Sequence, residues 1–203
     1  MNYLDHPDAP QFLSADVLKA ADIDMPTFKN WVSRKPSPIL LSDSDRSSIT
    51  GIEGPSYERV AGEESRVHLF TYRRLMQFAL TAVLTRLAIP VRKAGMAAAA
   101  FTDKGQTVSG WGDGGFPIDR LACQFYREGK TLLVISTDHE FGKVINLKPN
   151  DPADSIFERR GLGVVAINVN EVDRRVKAAL GLPPDWGRAW QYLPAGATIK
   201  IPE

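Results

Sequence analysis

Cysteine is nearly missing from the chain, with Cys123 the only one in 203 residues. That excludes an intrachain disulfide and any multi-cysteine zinc site. Cys123 lies in the run Leu121-Ala122-Cys123-Gln124-Phe125-Tyr126, whose apolar and aromatic character marks it as a small core residue rather than a catalytic thiol. Histidine is scarce as well, with three. Asp138-His139-Glu140, even with Asp119 or Glu158 added, has no second histidine at ligand spacing, and adjacent side chains in a turn diverge. No metal or acid-base site is expected there. Gly110-Trp111-Gly112-Asp113-Gly114-Gly115 has the glycines of a phosphate cradle but neither a P-loop lysine nor a strand-loop-helix setting. With no nucleophile and base to pair, the chain does not read as an enzyme, and no cofactor is expected. Long apolar runs are also lacking. The best one, over 75–87, is interrupted by Gln77, Thr81, Thr85 and Arg86, so no membrane span is expected. The first eight residues carry neither a basic leader nor an apolar stretch, which points to a cytoplasmic protein.

A strong charge of either sign is the last absence, since the formal net charge is +1. The distribution is less even than the total. Asp5, Asp8, Asp16, Asp22 and Asp24 precede a segment, 25–93, with an excess of Lys and Arg, and a local basic face can attract phosphate even on a neutral chain. A hydrophobic content of 43% with 24% charged residues is that of a globular protein.

Helical periodicity starts at 12–21, where Ser14 is placed as the cap and Val17, Leu18 and Ala21 form the inner face. Asp24 is the expected cap of a second helix over 25–34, with Pro26 in its first turn and Phe28, Trp31 and Val32 as an apolar stripe. Pro36 and Pro38 stop it. Short strands are expected at 39–41 and 66–70, separated by a mobile loop over 42–65 that is rich in Ser, Gly, Asp and Glu. Thr71 caps a long amphipathic helix, Ile89-Pro90 breaks it, and an alanine-rich helix follows over 91–101. The glycine-rich segment 103–117 then reads as a linker between a domain at 1–102 and another at 118–203. In the second, strands are expected at 121–126, 131–136, 143–147 and 163–167, then a helix from an Asn168 cap to Gly181 and an aromatic tail.

Helix, tight turn, helix, strand pair and capped helix is the order of a winged helix-turn-helix. Ala21-Asp22-Ile23-Asp24-Met25-Pro26-Thr27-Phe28-Lys29-Asn30-Trp31-Val32-Ser33-Arg34 resembles the recognition segment of the mercury-resistance-regulator (MerR) family. Leu69-Phe70-Thr71-Tyr72 and Leu84-Thr85-Arg86-Leu87-Ala88-Ile89-Pro90 are similar to that family's strand-to-helix junction and helix-Ile-Pro-helix turn. The resemblance covers the first half of the chain and implies a DNA-binding transcriptional regulator. Independently of it, a polar face carrying Thr27, Lys29, Asn30, Ser33, Arg34 and Lys35 suits the major groove. Asn30 can pair with adenine, and Lys29 or Arg34 with guanine or phosphate. Arg73 and Arg74, beside a helix N-terminus, are expected on phosphate.

The whole chain is therefore expected to be α+β, an N-terminal winged helix-turn-helix followed by a small mixed α/β domain, with double-stranded DNA as its partner. An acidic loop stands where the family has a short basic wing, and 105–115 has too much glycine for the family's dimerising coiled coil. A homodimer is accordingly expected through the C-terminal domain, by way of the apolar segments 132–135 and 164–167. The sequence names no effector, operator or direction of regulation. Two alternatives share the pattern: an excisionase-like architectural DNA-binding protein, and a protein-interaction module on a winged-helix scaffold that has lost DNA binding.

Overall fold

The structure is a computed structural model describing residues 5–34, 37–39, 69–104, 106–107, 116–136, 142–152, 156, 163–192 and 198–199. The described residues form a mixed α+β fold. Helices α1 (Ser14–Ala21), α2 (Met25–Ser33), α3 (Tyr72–Arg86) and α4 (Val91–Thr102) come first. Strands β1 (Gln106–Thr107), β2 (Phe116–Arg120), β3 (Lys130–Ser136), β4 (Lys143–Leu147) and β5 (Val164–Asn168) follow. Helices α5 (Val169–Leu180) and α6 (Arg188–Gln191) and strand β6 (Thr198–Ile199) end the order. The expected strands at 39–41 and 66–70 and the loop between them fall mostly outside the described residues. Of these segments Ile39, Leu69 and Phe70 are described.

Capping residues set three of the helix starts. Asp24 accepts the Thr27 N–H at 2.9 Å, Thr71 Oγ1 accepts that of Arg74 at 3.2 Å, and Asn168 Oδ1 that of Glu171 at 3.4 Å. The start of α1 differs from expectation. Ser14 is already helical, and Asp16 Oδ2 instead accepts the N–H of Leu13 at 2.8 Å. Gly181, with φ 67°, ends α5 in the left-handed conformation as the sequence suggested.

Among the described residues six strands make two antiparallel sheets, ordered β1-β2-β6 and β4-β3-β5. In the second, Leu133 faces Val144 on one side and Ile167 on the other. β3 is buried from Thr131 to Ser136, with Leu133 and Ile135 in the same core as α3, α4 and α5. Residues 132–135 are thus inside the chain and offer no apolar surface to a second copy. The presumed linker also differs. Residues 106–107 and 116–117 are strand, paired with β2 and β6 respectively. One continuous apolar cluster runs from Phe12 through α3 and β3 to Trp186, so the described residues do not divide into separate cores at 103–117. The run 121–126 is not a strand. Cys123, buried with φ 62°, turns the chain there, and Phe125 forms an isolated bridge to Tyr192.

Close approach to α4 depends on its small residues. Ala94, Ala97 and Ala98 are fully buried, and a Cβ at Gly142 would lie 2.9 Å from Ala97. At Gly95 a Cβ would lie 1.9 Å from the Pro38 carbonyl oxygen, where the chain leaving α2 crosses the helix. Helix propensity alone favours alanine over glycine by about 1 kcal/mol. The contact reverses that preference, and Gly95→Ala is expected to lower stability by about 1–3 kcal/mol. Thermal unfolding checks the sign, and an unchanged or raised midpoint would mean that Pro38 does not press on α4.

Candidate functional site

The turn between α1 and α2 is fixed from both sides. Asp22 takes the left-handed conformation at φ 50°, and the Ile23 N–H reaches back to Leu18 O at 3.2 Å. Arg86 at the end of α3 donates to the carbonyls of Ala21 and Asp22 and forms an ion pair with the Asp22 carboxylate at 2.9 Å. Asp24 is held below its usual carboxylate range by the Thr27 hydrogen bonds that make it a cap. α2 is seated by Phe28 and Trp31, both buried and stacked on Phe78 of α3 at centroid distances of 5.5 and 6.3 Å. Phe28 also meets Phe70 edge-on at 5.8 Å, and Phe70 exchanges two backbone hydrogen bonds with Phe12.

With that face committed, the opposite one is open. Lys29, Asn30, Ser33 and Arg34 are exposed and Thr27 is half-buried. Side chains of Lys29, Asn30 and Arg34 make no hydrogen bond or ion pair with any described residue. Lys35 lies outside the described residues. Four of the expected groups are therefore brought together on one accessible surface.

Arg73 and Arg74 are not part of it, and the phosphate role expected of them is corrected. Arg73 Nε and Nη2 grip Asp8 at 2.5 and 2.7 Å while Nη1 donates to Thr102 O at 2.6 Å. Arg74 is completely buried. Its guanidinium pairs with Asp103, itself fully buried, and donates to Gln77 Oε1. Both arginines follow the Thr71 cap, but the first turn of α3 faces the end of α4 rather than solvent. The polar stripe of α3, Arg74, Gln77 and Thr81, is buried as well as the apolar one, which the amphipathic pattern of the sequence does not announce.

A second feature lies in the C-terminal half, where sequence reasoning placed no site. Tyr72 of α3 donates its hydroxyl to Asp173 of α5 at 2.7 Å, and Lys177 pairs with the same carboxylate at 2.9 Å. Gln191 bridges them, donating to Asp173 at 2.8 Å and accepting from Lys177 at 3.0 Å. Burial pushes the Asp173 carboxyl above its usual range, against the lowering effects of Lys177, Tyr72 and Gln191. The same environment pushes the Tyr72 hydroxyl well up, so it stays a donor. Asp173, Lys177 and Gln191 of this network line a cleft of about 1030 Å³. Cys123, its thiol pushed up to about 12 by burial, is inert core. Asp138, His139, Glu140 and Glu158 lie outside the described residues, and among those described no cluster of metal-ligating side chains occurs. No helix among them is long and apolar enough to cross a membrane.

Compared with known proteins, the chain matches no family model, no curated protein and no solved structure.

The buried Arg74 and Asp103 pair yields a pH prediction. Burial by itself would raise the Asp103 carboxyl, but Arg74, the Thr102 hydroxyl and Arg73 together hold it below its ordinary value of 3.8. A depressed folded value means stability that is full above 3.8 and is lost as pH falls through the lower folded value. Asp103→Asn strands the Arg74 charge and is expected to cost about 3–5 kcal/mol near neutral pH. Denaturant unfolding against pH should show that this cost shrinks in acid, where the wild type loses the same pair. A variant as stable as wild type at neutral pH would remove the pair from the stability of the fold.

Proposed function

We propose that the protein is a sequence-specific DNA-binding transcriptional regulator that lays α2 in the major groove. The observation that carries this reading is the division of α2 into two faces. Phe28 and Trp31 lock one onto α3, while the side chains of Lys29, Asn30 and Arg34 stand unpartnered on the other and the Ser33 hydroxyl, also exposed, donates only to the Asn30 carbonyl at 3.4 Å. Groove reading requires polar groups on a helix whose orientation is fixed by its own packing. Two further features support it: the turn into α2 is fixed by Arg86 and the Asp24 cap, and Phe70, bridged to Phe12, follows in sequence the segment that stands where the family has its wing. On the MerR-like resemblance, that segment and α2 belong to one winged helix-turn-helix.

Asn30 reads adenine and Arg34 guanine in this arrangement, Lys29 lies on phosphate, and Thr27 and Ser33 position the helix on the backbone. Selection of bound fragments from genomic DNA with the purified protein tests the proposal first. Asn30→Ala and Arg34→Ala, both at exposed positions, are then expected to leave the melting temperature in place. Each good bidentate base contact discriminates by about 1–3 kcal/mol, so specific binding should weaken roughly tenfold or more. Arg73→Ala is expected instead to lower the melting temperature, because it opens the contacts to Asp8 and Thr102. Full-affinity binding by both α2 variants would sink the assignment. No DNA retained by the wild type at low salt would make α2 a protein-docking helix.

A further inference from the structure

The cleft over Asp173 is not used by the DNA-binding reading, and its two parts differ in charge. Its floor is satisfied: Lys177, Gln191 and Tyr72 take up both oxygens of Asp173, and Lys177 also reaches the Pro184 carbonyl at 3.4 Å. Its rim is not. Arg127, just before the β3 hairpin, and Arg188, the first residue of α6, are exposed and enter no ion pair with a described residue. Arg174, the third rim arginine, holds Glu171 by two hydrogen bonds of 2.8 Å. Four cations line the cleft against two carboxylates, Asp173 and Asp185, and Lys177 already balances the first. Between floor and rim the wall is apolar, formed by Phe125, Leu182 and Tyr192.

A concave site with an apolar wall and a few convergent polar groups is the form a small-molecule site takes, and about 1030 Å³ is ample for one. Unpaired guanidinium groups select the ligand's charge, because their planar donors match a carboxylate or phosphate edge. A cationic ligand would meet Asp185 as the one carboxylate not already balanced, and three arginines line the same cleft. We propose that this cleft binds a small organic anion, its carboxylate or phosphate held by Arg127 and Arg188 and its body lying against Phe125, Leu182 and Tyr192.

The protein carries its own reporter. Trp186 and Trp190 flank the lining residues Arg188 and Gln191 and pack on Tyr72 at centroid distances of 4.6 and 5.8 Å. Titrating the full chain with phenyl phosphate and with benzoate, while following tryptophan fluorescence and the melting temperature, is expected to give saturable binding for at least one. Inorganic phosphate, which has no body, and benzyl alcohol, which has no charge, are expected to bind at least about tenfold more weakly. Arg127→Gln with Arg188→Gln should melt like the wild type and bind the anion about tenfold more weakly or worse. Arg188→Glu alone, which inverts the charge at the rim, provides the second check and should abolish the response. No saturable response to either aromatic anion overturns the proposal. So does inorganic phosphate or benzyl alcohol binding equally well, or full affinity in the arginine variants. None of these readouts uses DNA, so failure here and failure of the DNA-binding reading are separate results.

Discussion

The end of α4 is the constraint on which the rest of the fold depends. A helix leaves its last carbonyls without intrahelical donors, and α4 ends in the interior, with Ala100, Phe101, Thr102 and Asp103 all buried. Arginines supply the donors that water would otherwise provide. Arg120 reaches Ala100 O at 2.9 Å and Phe101 O at 3.2 Å, and Arg73 reaches Thr102 O at 2.6 Å. Cations at this end also suit the helix dipole. Burial pulls Arg120 down to about 10, which still leaves it protonated at neutral pH, and its guanidinium lies 5.4 Å from the centroid of the Phe101 ring. Arg74 completes the junction by neutralising Asp103, the residue that ends the helix. Such a buried pair is costly to break because the surviving charge has nowhere to go.

The donors come from different parts of the chain, so this junction also decides how the halves join. Arg73 and Arg74 belong to the first turn of α3, Arg120 ends β2, and Asp8 comes from the segment before α1. Tyr72 precedes the arginines and faces the other way. Its ring packs on Phe12 and Trp186 while its hydroxyl joins the Asp173 network of α5. One turn of helix therefore holds the end of α4, the N-terminal segment and the C-terminal helix at once. A linker-separated pair of domains would need this turn to face solvent on one side, and here it is buried on both.

Much of this was legible where local rules act alone. α2, α3 and α5 begin at the expected caps, β3 and β4 lie where β-branched and aliphatic runs placed them, and α4 follows the Ile89-Pro90 break. The polar face of α2 was legible too, because its apolar stripe fixes which residues are left over. Long-range partners were not. Nothing near Arg73 or Arg74 in sequence announces Asp8, 65 residues earlier, or Asp103, 29 residues later, and two arginines after a threonine cap look like solvated charge. Residues 121–126 misled for a similar reason. Their apolar character is real, but 123–126 are buried against the end of α4 and Tyr192 in a turn, with Cys123 N–H on Phe101 O at 2.9 Å, and not as part of a ladder. The cleft was invisible because its residues are scattered from Arg127 to Tyr192 and converge only when the aromatic tail folds back on Tyr72.

The same junction explains why total charge is a poor guide to what this chain attracts. With 25 basic and 24 acidic residues, the chain is nearly neutral, yet its cations are not equivalent. Arg73, Arg74 and Arg120 are bound to a helix end and its carboxylates, Arg86 to the turn between α1 and α2, and Lys177 to Asp173. The three junction arginines and Lys177 are buried or nearly so and held by partners, so a phosphate could compete for them only by breaking the fold, whereas Arg86 is half-exposed and its pair with Asp22 is open to solvent. Attraction at a distance is left to cations whose partners are solvent, and among the described residues these include Lys29 and Arg34 on α2 and Arg127 and Arg188 at the cleft. The two pairs lie on elements with separate packing, α2 against α3 and the cleft rim around α5 and α6. In the proposed reading they meet different ligands, α2 a DNA groove and the cleft a small anion, and α3 touches both sides, with Phe78 under α2 and Tyr72 on the Asp173 network.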